Sequence, residues 1–132
     1  MTIATAYWCV LIAAALPYVW IFVTKTGAPK YNNRNPRAWI AKQEGNYKVQ
    51  RANGAHLNAL EAFAPFAAGV VLAQLAGVDP ARIALLAVAF IVLRVLHGVL
   101  YIADVPLGRS LAWLGGYACV IVLLALAAMG IA

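Results

Sequence analysis

Four stretches of this chain, residues 2–24, 54–75, 81–103 and 107–131, are almost unbroken apolar sequence. Each is close to the 20 or so residues that carry an α-helix across the roughly 30 Å hydrocarbon core of a bilayer. Few folds remain open to such a chain. In lipid, backbone N–H and C=O groups must be satisfied within a helix or around a closed barrel. Barrel strands alternate apolar and polar residues over about 10 positions, and these runs do not alternate. They read as four transmembrane helices. Charged residues make up 11% of the sequence and hydrophobic residues 65%, against about a quarter charged in a soluble domain. The 132 residues leave room for one domain. The expectation is an all-α integral membrane four-helix bundle over residues 1–132, with one long loop at 25–53.

The first run includes Ala13–Ala15, which resembles a small-residue cleavage site. No basic residue precedes it, and the run is longer than the apolar core of a signal peptide. It therefore reads as an uncleaved first span. Cys9 and Cys119 fall inside spans, where a thiol behaves as a small apolar group, so they indicate no redox compartment.

A formal charge of +6 could suggest nucleic acid, but the cations are gathered in one place. Lys25, Lys30, Arg34, Arg37, Lys42, Lys48 and Arg51 all lie between the first and second spans. Lysine and arginine concentrate in cytoplasmic loops and set orientation. This predicts a cytoplasmic long loop, with the connection near Asp104–Arg109 on the same side. Both termini and the Gly77–Pro80 turn fall on the other side. The cluster also suits anionic lipid head groups or the approach of an anionic ligand, and nucleic acid is not expected as a partner. Gly27-Ala-Pro, Tyr31-Asn-Asn and Asn35-Pro36 are turn signals within the loop. The short later connections make neighbouring spans antiparallel.

Polar residues inside spans are costly, face the bundle interior or water, and are functional candidates. The second span carries Asn58 and Glu61, and the third carries Arg94 and His97. At helical spacing Arg51, Gly54, Asn58 and Glu61 share one face, with His56 pointing elsewhere. Arg94, His97 and Tyr101 share another face, at i, i+3 and i+7. Arg109 opens the fourth span, with Trp113 one turn later. Antiparallel order brings all of these to the end of the bundle that carries the long loop. A purely structural account competes with a functional one. Glu61 and Arg94 can neutralise each other, and Asn58 can act as interhelical glue worth about 0.6 kcal/mol. His56 and His97 have no companions at ligand spacing, so no metal site is expected. Ser110, the only serine, sits at a helix start without nucleophile partners.

Arg51-Ala-Asn-Gly-Ala-His-Leu-Asn-Ala-Leu-Glu61, followed by Pro65-Phe66, resembles the second-helix signature of the MAPEG family, the membrane-associated proteins of eicosanoid and glutathione metabolism. Arg94-Val-Leu-His-Gly-Val-Leu-Tyr101, then Arg109 and Trp113, resembles its third and fourth helices, most of all in the microsomal prostaglandin E synthase branch. Tyr31-Asn-Asn-Arg-Asn-Pro-Arg37 is similar to the loop of bacterial members. The resemblance implies a homotrimer in a bacterial inner membrane, with glutathione as co-substrate at each subunit interface on the cytoplasmic side. It also implies a lipophilic small-molecule second substrate and contact with membrane lipids. Carried over, Asn58 and Glu61 contact glutathione, Glu61 near its amino end or paired to Arg94. Tyr101 contacts the peptide, Arg109 is the catalytic residue that holds the thiol as thiolate, and Arg94, His97 and Trp113 complete the site. Trp113 stands where the family's enzymes often have tyrosine, and Ala62 where an aromatic is common. Gly54 stands where they usually have an arginine that grips a glutathione carboxylate, and Arg51, one turn earlier, is the expected substitute.

The chemistry is coherent on its own terms. Glutathione near neutral pH carries two carboxylates and one ammonium, so its binder needs arginines and one acid. A cation beside its thiol raises the reactive thiolate fraction. Three functions stand open at this level. The first is a glutathione-dependent transferase or peroxidase acting on lipophilic electrophiles. The second is a non-enzymatic MAPEG-like protein that binds lipid or a partner. The third is a small multidrug transporter, which the uncharged first span disfavours, because an intramembrane carboxylate would mark the transport path.

Overall fold

The computed structural model describes residues 1–131 and is all-helical, with no strand among the described residues. Its helices are α1 (Ile3–Thr26), α2 (Pro36–Ala41), α3 (Tyr47–Leu75), α4 (Pro80–Ile102) and α5 (Pro106–Ile131). All except α2 are long and apolar enough to cross a membrane, and the chain is an integral membrane protein built as a helical bundle.

Local chemistry sets the boundaries. Asp79 caps α4 by accepting from the Arg82 amide at 3.1 Å, and Pro80 follows at the first helical position, where its missing N–H costs nothing. Gly77, at φ 77°, supplies the left-handed residue that lets α3 end and the chain reverse. The helix that carries the second apolar run begins at Tyr47, ahead of the run expected from residue 54. The Asn46 side chain caps it, accepting from the Val49 amide at 3.1 Å, and donates to the Gly27 carbonyl at 3.2 Å. The first turns of α3 thus rise from the loop and carry Lys48 and Arg51 into solvent reach.

The loop is more ordered than its turn signals suggest. The Gln50 amide donates to the carbonyls of Ile40 and Gln43, both at 3.1 Å, tying α2 to α3. Trp39 is buried and meets the Tyr31 ring edge-on at 5.2 Å.

In the bundle, α1 packs on α3 and α4, α5 packs on the same two helices, and α3 and α4 also touch. The four spans therefore form a ring in the order α1, α3, α5, α4, with α3 and α4 closing on each other across it. Their approach is marked by the stacked rings of Phe66 and Phe90, 3.9 Å apart and 8° from parallel. Ala6, Ala13, Ala73 and Ala87 are buried in the same core cluster. Small residues let helices approach where lipid supplies no hydrophobic drive. Nearer the loop end, the Trp20 ring lies against the backbone of Gly98, where any added Cβ would overlap it. Leu16, Trp20, Ala55 and Ala59 form a second cluster there, with Tyr101 and Ile102 packed against it.

Candidate functional site

The ring order puts the polar faces of α3, α4 and α5 together at the loop end, and two cavities lie between them. The outer one, of about 450 Å³, is lined by Asn58, His97, Tyr101, Arg109, Ser110, Trp113 and Leu114. The inner one, of about 150 Å³, reaches Glu61, Pro65, Phe90, Arg94 and Tyr117. Asn58 and Trp113 line both, so the two chambers share a wall.

Arg109 stands at the start of α5 with its guanidinium carbon 4.5 Å from the centre of the Tyr101 ring, a cation–π distance. His97 meets the same ring edge-on at 5.6 Å. Tyr101 also rests against Gly54 of α3. A Cβ built there would lie 2.6 Å from the tyrosine oxygen and 2.7 Å from Cζ. Tyr101 therefore packs closely on the α3 backbone and carries the Arg109 cation over its ring. The amino end of α5 adds positive potential to that of Arg109, so the outer chamber favours an anion.

In the inner chamber Arg94 is 3% exposed. Its Nη2 donates to Asn58 Oδ1 at 2.7 Å, and Asn58 Nδ2 faces Glu61 Oε2 at 3.5 Å. Arg94 Nε and His97 Nδ1 are buried without a hydrogen-bond partner. Buried polar atoms are usually satisfied, and a polar ligand in these chambers is one way to satisfy them. The direct Glu61–Arg94 ion pair expected from the sequence is not formed. Asn58 lies between the two, and Glu61 is exposed on the flank of α3. Helical spacing placed both on facing surfaces but could not distinguish a contact from a relay one side chain long.

Seven of the eight expected positions, Asn58, Glu61, Arg94, His97, Tyr101, Arg109 and Trp113, line one chamber or the other. Arg51 does not. It donates from Nε to the Ile102 carbonyl at 3.3 Å and pairs with Asp104 at 3.5 Å, which fastens α3 to the α4–α5 turn. Ser110, set aside in the sequence as a lone hydroxyl without nucleophile partners, and Tyr117, which was not singled out, also line the chambers. Ser110 follows Arg109 directly, and Tyr117 stacks on Trp113 one turn on, with ring centres 5.2 Å apart. An i, i+4 aromatic pair on one helix was the signal for the latter. No group of metal-ligating side chains occurs among the described residues.

A family model, that of the MAPEG family, matches residues 5–129. No curated protein and no solved structure matches the chain.

Proposed function

The chain belongs to the MAPEG family, which includes glutathione-dependent transferases and peroxidases as well as non-enzymatic members, and from that premise we propose that it is a glutathione-dependent membrane transferase or peroxidase. The observation that carries the proposal is Arg109 held over the Tyr101 ring at the mouth of a polar chamber. The chamber volume of about 450 Å³ lies in the range of small-molecule sites, about 300–1,000 Å³. Its side chains suit a small anionic peptide: Arg109 for negative charge, and Ser110, Tyr101 and Asn58 for peptide groups. Arg109 would favour the thiolate over the thiol. The adjoining inner chamber, largely apolar through Pro65, Phe90 and Val120, would admit a lipophilic electrophile from the bilayer. The long loop would be cytoplasmic in a bacterial inner membrane, and the subunits would assemble as a homotrimer with the site at each interface, as in the prostaglandin E synthase branch.

Glutathione added to the purified protein near neutral pH should produce thiolate ultraviolet absorbance. Arg109→Ala should abolish it with binding largely retained, whereas Asn58→Ala should weaken binding itself. Absence of any glutathione binding would sink the proposal. One observation favours the non-enzymatic alternative: the space at Gly54 is filled by Tyr101, so no cation can stand at that position. Tight binding without a thiolate signal would select that alternative.

A further inference from the structure

On a different face of α3 lies a groove of about 410 Å³ between α1, α2 and α3. It shares no residue with the two chambers described above. Its lining is ordered along the membrane normal. On α3, Asn53, His56, Leu57 and Leu60 follow the i, i+3, i+4, i+7 pattern of a single helix face. The polar pair sits nearer the loop and the leucines deeper, the face spanning about 10 Å from Asn53 to Leu60 at 1.5 Å per residue. On α1, Lys25 stands at the loop end, with Ile21 one turn deeper. Arg37 and Ile40 of α2 close the top. The groove is thus cationic at the bilayer surface and apolar below it.

Neither of its cations is neutralised by an acid, although the Lys25 ammonium also lies over the Tyr31 ring, 5.1 Å from its centre. The one ion pair among the described residues is Arg51–Asp104, so neither Lys25 nor Arg37 has a carboxylate partner. No acidic residue lines the groove. The roof is built rather than incidental, because Asn46 fastens the end of α1 to α3 and Gln50 fastens α2 to α3. The apolar floor is open to lipid, with Leu57 49% and Leu60 44% exposed.

We propose that this groove binds one anionic phospholipid, its phosphate held between Lys25 and Arg37 and an acyl chain laid along Ile21, Leu57 and Leu60. Charge complementarity selects the head group. A zwitterionic lipid would bring an ammonium into a groove that offers it two cations and no acid. A free phosphate would satisfy the mouth but leave the apolar floor uncovered.

The test is native mass spectrometry of the intact protein released from detergent containing phosphatidylglycerol or phosphatidylcholine with identical acyl chains. The unmodified protein should retain one phosphatidylglycerol per chain at least tenfold more readily than phosphatidylcholine, and inorganic phosphate at millimolar concentration should not displace it. Lys25→Gln with Arg37→Gln should cut retention about tenfold. Lys25→Arg with Arg37→Lys should preserve it, as should Lys42→Gln with Lys48→Gln, which removes the same charge from the loop outside the groove. Equal retention of the two lipids by the unmodified protein overturns the proposal whether or not any variant folds. So does equal loss on removing the Lys42 and Lys48 charges, which would mean general surface attraction. Retention of no lipid at all overturns it too, and would point to a second copy of the chain covering the groove.

Discussion

Gly54→Ala tests whether the Tyr101 ring is as tightly fixed as it looks. In a helix interior this exchange should stabilise by about 1 kcal/mol, since glycine is the poorer helix former. At residue 54 the new methyl would lie 2.6 Å from the tyrosine oxygen, 2.7 Å from Cζ and 3.1 Å from Cε1. The ring cannot slide away freely, because Arg109 lies over it, His97 abuts it, and it packs on the Leu16–Trp20–Ala55–Ala59 cluster. Overpacking of this kind costs about 1–3 kcal/mol, so the net effect ranges from neutral to about 2 kcal/mol destabilising. Gly116→Ala removes the ambiguity. In α5 a Cβ at 116 meets Arg94 Cδ at 3.4 Å and Phe90 Cδ2 at 3.9 Å, ordinary contacts, so that variant reports the propensity gain nearly alone. The difference between the two variants, measured by unfolding in mixed micelles followed by circular dichroism, should be about 1–3 kcal/mol. In a Tyr101→Ala background the difference should vanish. If Gly54→Ala proves as stabilising as Gly116→Ala with Tyr101 present, the ring is not held against the α3 backbone and the geometry assigned to Arg109 fails with it.

Asn58→Leu removes the acceptor of Arg94 and should cost about 1–3 kcal/mol or more, the penalty for stranding a buried charged donor. Glu61→Gln, at an exposed position without an ion-pair partner, should stay within about 0.5 kcal/mol; a larger loss in the same unfolding assay would restore the direct pair. Single cysteines at Asn33 and Val78, in a background lacking Cys9 and Cys119, should label from opposite sides of the membrane, with Asn33 shielded in intact cells. Labelling of both by an impermeant reagent would refute the orientation inferred from the basic loop.

The parts of this fold written in the sequence are those fixed by local rules. Span length follows from bilayer thickness, and the ends of α4 follow from Asp79-Pro80 and the adjoining turns. Convergence of Asn58, Arg94, His97 and Arg109 follows from helical period and antiparallel order. What stayed hidden depends on side chains meeting across helices. Nothing near Arg51 in the sequence announces that it will be claimed by Asp104 and the Ile102 carbonyl. Composition likewise gives no sign that Gln50 and Asn46 pin the basic loop onto α3, turning a string of turn signals into the roof of a groove.

Gly54 joins the two levels. Taken along the chain, it is an arginine missing from a binding motif, and Arg51 is its nearest replacement. Taken across the bundle, Gly54 is what allows Tyr101 to lie against α3 with Arg109 over its ring, while Arg51 is engaged elsewhere. An arginine returned to residue 54 would therefore have to displace the tyrosine before it could reach a ligand, and would loosen the Arg109 cation in doing so. The identity of residue 54 is set by a residue on α4, through a contact between two membrane-spanning helices.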